Sequence, residues 1–370
     1  MTTWNLWYAV CAAALAMSFV VSLILTEVMR RVSLRWGVLD HPGERKLQAK
    51  PMPLLGGAAI WLTVYGVIGA GLAALFAIRP LDVQWVQDHV VSFLGSGSGV
   101  WWKLAGLFLG GACIFVLGLI DDMATLRPSM KLAGQIVSAT VLVLFGIHVD
   151  FFNPYWPLNW LFTIGWVVMM TNSMNLLDNM DGLSSGVSAI AALSFFACVL
   201  PAGQTFVCVL LMVFAGAVAG FLFHNFHPAR IFMGDAGAMF CGYFLATVAV
   251  LGTFYRHDTT ASWVALAAPL LALGVPIFDT LSVMYIRWRR GESIMMGDKR
   301  HFSHRLVELG MTQRQAVEFI YFVAAVTGLG AALLHRLDGL GTAIVLAQAV
   351  GVFSLIVLLM NATVKGNRGG

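Results

Sequence analysis

Long apolar runs separated by short polar gaps decide what this chain can become. They fall near 5–29, 55–78, 102–120, 131–147, 158–177, 186–200, 205–223, 238–254, 262–286, 315–334 and 341–362. Several are short or glycine-rich, so ten or eleven spans are expected. A hydrocarbon core about 30 Å thick is crossed by about 20 apolar residues in a helix. Only helices and closed barrels satisfy the backbone in lipid, and the alternation of a barrel strand is absent here. Of 370 residues, 59% are hydrophobic and 11% charged, against about 25% charged in soluble domains. The expectation is an all-α integral membrane protein, a polytopic helical bundle. The longest polar segments, 30–53 and 287–314, leave no room for a second soluble domain, so residues 1–370 read as one transmembrane domain. The first run lacks a basic n-region and reads as a span rather than a cleaved leader. Cys11, Cys113, Cys198, Cys208 and Cys241 sit in apolar stretches with no metal-ligand or disulfide pattern.

The basic residues orient the bundle. All 22 lysines and arginines except Arg79, Lys103, Arg256 and Arg336 fall after odd-numbered spans or in the tail. By the positive-inside rule the N-terminus lies outside and the C-terminus in the cytoplasm. No internal repeat is evident, which weakens a transporter built from inverted halves.

Four polar clusters then share the cytoplasmic face. "GLIDDMATLRPSMK" ends span three with Asp121 and Asp122, followed by Arg127 and Lys131. "TNSMNLLDNMDGLSSG" ends span five. "FHNFHPARIFMGDAG" ends span seven with Asp235, and the basic loop after span nine holds His301, His304 and Arg305. Carboxylates are costly in lipid and mark a pathway or a site. In the second cluster Asn172, Asn175, Asp178 and Asp181 are each three apart, a spacing that on a helix aims oxygen ligands and amide donors into a single cleft. A polar helix end with Asx caps has the same pattern. Hard oxygens without thiols suit Mg²⁺ or Mn²⁺. The absence of Lys and Arg from this cluster fits, since a basic side chain would compete with the cation. Histidines beside arginine suit phosphate or diphosphate. Phe232 is a packing residue or a stacking face for a base. Acids for a metal, bases for phosphates and no Walker-type loop fit phosphoryl transfer between a soluble donor and a lipid acceptor. A transporter of an anionic solute is the rival, but it expects charges at mid-membrane depth.

These motifs resemble, in order, those of the polyprenyl-phosphate N-acetylhexosamine-1-phosphate transferase family. The likeness covers about residues 39–310: "DHPGERKLQAKPMPLLGG", "GLIDDMATLRPSMKLAGQ", "NSMNLLDNMDGLSSG", "FLFHNFHPARIFMGDAGAMFCGYFLA", "PIFDTL" and "HFSHRL". The resemblance implies transfer of a sugar-1-phosphate, with GlcNAc-1-phosphate first and other UDP-N-acetylhexosamines as alternatives. The donor would be a UDP-sugar and the acceptor undecaprenyl or another polyprenyl phosphate, with UMP released at the cytoplasmic face of the inner membrane. It implies Asp235 and Asn175 as ligands of Mg²⁺, with Mn²⁺ as substitute, and Asp121, Asp122, Asp178 and Lys131 as the catalytic set. Asn172, Asp181, Asn225, Phe232, His301, His304 and Arg305 would bind substrate, with Phe232 stacking on uracil and the histidine loop holding diphosphate or sugar. Nucleic acid is not an expected partner, and a homodimer is an assembly the sequence allows. Three positions depart from the family pattern. Ser303 replaces the middle histidine of His-x-His-His, Gln48 stands where many relatives have histidine, and Asn179 stands where glycine is common. These departures bear on sugar choice and the first cytoplasmic loop. The missing triple histidine disfavours a peptide-carrying donor.

Overall fold

The computed structural model of the chain describes residues 3–41, 51–78, 99–152, 154–252, 262–292 and 301–366. Within them the chain forms thirteen α-helices and one two-residue strand pair. The helices are α1 (Thr3–Trp36), α2 (Gly56–Ile78), α3 (Val100–Ala124), α4 (Pro128–Leu144), α5 (Trp156–Leu177), α6 (Leu183–Val199) and α7 (Thr205–Asn225). They continue with α8 (Gly234–Leu251), α9 (Ser262–Ala272), α10 (Gly274–Arg290), α11 (Phe302–Glu308), α12 (Gln313–Leu333) and α13 (Gly339–Gly366). Among the described residues, eight helical segments are long and apolar enough to cross a membrane, and α4 is a shorter apolar helix. The chain is therefore an all-α polytopic membrane protein. The five cysteines are free thiols.

Each apolar run of the sequence appears as helix, with one difference. Run 262–286 is two helices, α9 and α10, broken at Leu273. Pro276 is the cause: it has no N–H for the carbonyl of Ala272, and its ring crowds that carbonyl. Other boundaries follow local chemistry. Pro128 opens α4 at a position where a missing N–H costs nothing. Thr312 and Gln315 cap α12 reciprocally: Gln315 N–H donates to Thr312 Oγ1 at 3.2 Å, and Thr312 N–H donates to Gln315 Oε1 at 2.9 Å.

α8 is the hub. It packs against α2, α3 and α5, and nearly all its residues from Ala236 to Ala249 are buried. Small residues let the backbones approach: a Cβ on Gly118 of α3 would collide with the backbone of Asp235 and Ala236. The start of α8 is pinned from a third direction. Leu39–Asp40 pairs antiparallel with Met52–Pro53. The residues just after it bond to the loop before α8: Phe232 N–H donates to Pro53 O at 2.8 Å, Gly56 N–H to Phe232 O at 3.0 Å and Gly57 N–H to Met233 O at 2.9 Å.

Candidate active site

The C-terminal ends of α3 and α5 and the N-terminal ends of α4 and α8 meet at one end of the bundle, and the charged groups converge there. Lys131, in the first turn of α4, is the centre. Its Nζ lies 2.6 Å from Asp121 Oδ2 and 2.6 Å from Asp235 Oδ2, and it donates to Asn175 Oδ1 at 3.1 Å. Asn175 Nδ2 donates to Asp235 Oδ1 at 2.7 Å. Asp121, Lys131, Asn175 and Asp235 thus form one connected cluster.

The two adjacent acids do different work. Asp121 faces the cluster, and its Oδ1 accepts from Leu126 N–H at 2.7 Å. Asp122 points to the start of α8, where its two oxygens accept from Asp235 N–H at 2.7 Å and Ala236 N–H at 3.1 Å. A carboxylate on the orphan N–H groups of a helix start is favourable for charge and hydrogen bonding alike. Gly234 makes this approach feasible: it has φ +69°, and a Cβ there would lie 2.6 Å from Asp122 Oδ2.

The single cleft expected from the three-residue spacing is not what forms. Helix α5 ends at Leu177, so Asp178 and Asp181 leave its register, and at about 100° per residue a spacing of three drifts around the axis. Asn172 exchanges hydrogen bonds with Gln135 of α4, donating at 2.6 Å and accepting at 3.2 Å. Asp181 Oδ2 meets His227 Nδ1 at 2.8 Å and accepts from Ala229 N–H at 3.1 Å. Only Asn175 of the series reaches the Lys131 cluster. Asp178 caps the helix beside it, where burial and then the charges of Asp235, Asp122 and Asp181 push its carboxyl up to about 8.

Asn225 is buried, and its side chain is committed within the protein. Its Oδ1 accepts from Gly182 N–H and Ser185 Oγ, and its Nδ2 donates to Ile231 O. Phe232 is half-buried beside it, fixed through the backbone bonds above.

The histidine segment is tied by polar links to α10 and to the turn after α5. His301 Nδ1 lies 2.8 Å from Asp279 Oδ2, and Phe302 N–H donates to Asp279 Oδ1 at 2.6 Å, with Asp279 and His301 both nearly inaccessible. Ser303 Oγ donates to Asn179 Oδ1 at 2.5 Å, so two of the three departures from the family pattern touch each other. Gln48 lies outside the described residues. Arg305 is half-buried, which draws its guanidinium below the ordinary value against the pull of Glu308. Sequence reasoning missed the roles of Asp279 and Gln135. The available signal for Asp279 was a lone carboxylate inside an apolar run.

Among the described residues no group of three His, Cys, Asp or Glu side chains is set to hold a metal by itself. Two carboxylates and an amide, all hard oxygens already gathered around one ammonium, match instead the way Mg²⁺ is held when substrate phosphates and water complete its shell.

The profile of the glycosyl transferase family 4 matches residues 104–253, which contain this cluster. The chain is 32% identical to a decaprenyl-phosphate N-acetylglucosaminephosphotransferase of Mycolicibacterium smegmatis, over 95% of this chain and 88% of that protein. It is 32% identical to a Bacillus subtilis protein named a probable undecaprenyl-phosphate N-acetylglucosaminyl 1-phosphate transferase, over 87% of this chain and 84% of that one. A phospho-N-acetylmuramoyl-pentapeptide-transferase of Desulforudis audaxviator is also 32% identical, over 89% of this chain and 98% of the relative. Motif order, site geometry and matches of this length agree: the chain belongs to the glycosyl transferase family 4, the polyprenyl-phosphate N-acetylhexosamine-1-phosphate transferases whose motifs it carries.

Proposed function

We propose that the chain transfers a sugar-1-phosphate, GlcNAc-1-phosphate in the first instance, from a UDP-sugar to polyprenyl phosphate. The observation that carries this reading is the convergence of Asp121, Asp235 and Asn175 oxygens on one cationic point at the ends of membrane helices. Two of the relatives are named for GlcNAc-phosphate transfer to polyprenyl phosphates. The equal identity to the muramoyl-pentapeptide enzyme means that overall similarity does not choose the donor; the departure at Ser303 favours a donor without peptide. Residues 1–370 act as one unit in the plasma membrane. The basic residues favour eleven crossings, counting α4, α5 and the α9–α10 pair, with the N-terminus outside and the site cytoplasmic.

In the proposed reaction an oxygen of the lipid phosphate attacks the sugar-bearing phosphorus of the donor. The bond from that phosphorus to the bridging oxygen breaks, UMP leaves, and a polyprenyl-diphosphate sugar remains. A phosphate monoester with a second pKa of about 6 is largely dianionic at neutral pH and needs little base assistance. Asp121 faces the acceptor and takes any remaining proton. Asp122, bonded to the start of α8, is a positioning residue for Asp235. His301, His304 and Arg305 hold donor phosphate or sugar, and Phe232 offers its ring to uracil. Asp235 and Asn175 would hold Mg²⁺, which supplies charge neutralisation to diphosphate and leaving group.

The test is purified full-length protein with undecaprenyl phosphate and a panel of radiolabelled UDP-sugars, with and without Mg²⁺, following lipid-linked product and UMP. The expected result is Mg²⁺-dependent transfer from UDP-GlcNAc with equimolar UMP. Absence of product with every UDP-N-acetylhexosamine overturns the reading, and a trapped phospho-aspartate at Asp121 overturns direct attack.

A further inference from the structure

Lys131 stands where a lysine is hard to keep. It is in the first turn of α4, whose N-terminus is the positive end of the helix dipole and disfavours a cation. Its side chain is only 18% exposed. What holds it there is anionic: Asp121 Oδ2 and Asp235 Oδ2, each 2.6 Å away, with Asn175 Oδ1 at 3.1 Å. Two of these three residues are the ones assigned above to the divalent cation. A metal on the same Asp235 oxygen at about 2.1 Å would stand at most about 4.7 Å from the ammonium. A divalent and a monovalent cation at that separation repel strongly in a half-buried site.

The link to α4 adds a second observation. Thr125, in the turn between α3 and α4, has φ +39°, the one positive φ at a non-glycine position among the described residues. A β-branched residue is strained there and stays only when its surroundings hold it. The surroundings are Asp121 again: its carbonyl accepts Thr125 N–H at 2.9 Å and its Oδ1 accepts Leu126 N–H. The Asp121–Lys131 pair therefore closes a strained turn.

We infer that Lys131 is the resident counter-ion of the metal site: its ammonium and the divalent cation use the Asp121, Asp235 and Asn175 oxygens in alternation. Entry of the metal drives the ammonium off these oxygens. It then lies beside the cluster, placed to meet the phosphate anions that complete the metal's shell. Lys131 thus keeps three helix ends together without metal and becomes a phosphate contact with it. This inference rests on the divalent-cation reading of the site, and the experiment separates the two.

Mn²⁺ binding is measured by electron paramagnetic resonance on the full-length protein in detergent, for the wild type, Lys131→Met, Lys131→Arg and Asp235→Asn. Lys131→Met is expected to bind Mn²⁺ about tenfold more tightly than wild type, because a competing charge is gone. Lys131→Arg keeps the competition and stays near wild type, and Asp235→Asn loses affinity. The wild type supplies a readout that needs no variant to fold. Acetylation of Lys131 by an amine-reactive ester, quantified by mass spectrometry, is slow without metal and accelerates as Mg²⁺ is added. Unchanged or weaker Mn²⁺ binding by folded Lys131→Met, or Lys131 acetylation insensitive to saturating Mg²⁺, overturns the inference while leaving the metal site standing. Failure of the wild type to bind Mn²⁺ overturns both.

Discussion

Asp235 and His301 both bring polar chemistry to one end of the bundle, and they are held there by different means. Asp235 opens an eighteen-residue helix that is buried on nearly every side. Its position follows from backbone contact: Gly118 lets α3 close on Ala236, and the loop before α8 is bonded to residues 53–57. His301 precedes a seven-residue helix. Its position follows from side chains: the links of Asp279 to His301 and to Phe302 N–H and of Ser303 to Asn179, and the burial of Phe302 against Phe278 and Phe319. Packed backbones resist displacement, because interiors respond to one methyl group's worth of volume. The polar links at His301 and Ser303 are worth about 1 kcal/mol per bond, beside the apolar anchor that Phe302 and Leu306 provide. The acid cluster is thus fixed by packed backbone, and the His301 segment by side chains.

The difference predicts how each half breaks. Asp235→Ala should leave the fold intact and lower turnover by about 10³-fold, the scale of losing one preorganised electrostatic group. Thermal unfolding in detergent and UMP release measure the two effects. Near-normal turnover would remove Asp235 from the chemistry. The next largest effect is steric. Gly118→Val drives a side chain into the α8 backbone and should cost about 1–3 kcal/mol by overpacking, with turnover falling because the start of α8 moves. Gly165→Ala is the control: a Cβ there meets nothing within 4 Å, so it should stabilise by up to about 1 kcal/mol from helix propensity. Equal effects at the two glycines would show that backbone approach is not what fixes Asp235.

Most of this contrast was invisible in one dimension. The runs that became helices were legible, because period and length survive without neighbours. The acids Asp121 and Asp122 were legible as a pair, but their division of labour depends on which one faces α8, and no spacing encodes that. The series from Asn172 to Asp181 misled because a regular interval was extended past Leu177, where the helix stops. Asp279 was visible only as part of a motif: its partner His301 is 22 positions away, and only folding puts their side chains together. Lys131 was legible as a member of the catalytic set, but not that its ammonium sits on the oxygens of Asp121, Asp235 and Asn175.

The tethered half breaks in smaller steps. Asp279→Asn removes the acceptor for His301 Nδ1 and puts an N–H₂ group in its place, so the ring must change tautomer or turn. With both groups buried, the cost should be about 1–3 kcal/mol, close to tenfold in turnover for each 1.4 kcal/mol felt in the transition state. The loss should exceed that of an exposed ion pair such as Arg314–Glu318, where Glu318→Gln is expected to change little. Unfolding temperature and donor KM are the measurements, and an unchanged KM would show that the loop's position does not depend on Asp279.

The smallest and most specific test concerns Ser303 and Asn179, which depart from the family pattern together and meet across 124 positions at 2.5 Å. Glycine at 179 would offer no side-chain acceptor, so a buried hydroxyl at 303 needs the amide that stands there. Ser303→Ala should cost about 1 kcal/mol, the net value of one hydrogen bond. Asn179→Gly should cost more, because Ser303, 1% exposed, is left with an unmet donor and the bond from Asn179 Nδ2 to Leu176 O is also lost. Adding Ser303→Ala to Asn179→Gly should then recover part of the loss, so the double variant costs less than the two singles summed, with a coupling of about 1 kcal/mol for residues in contact. Additivity within about 0.3 kcal/mol would mean that the two departures are independent. A coupling of the expected sign, accompanied by a raised donor KM in Asn179→Gly, would tie the end of α5, and with it the acid cluster, to the His301–Arg305 segment proposed to hold the donor.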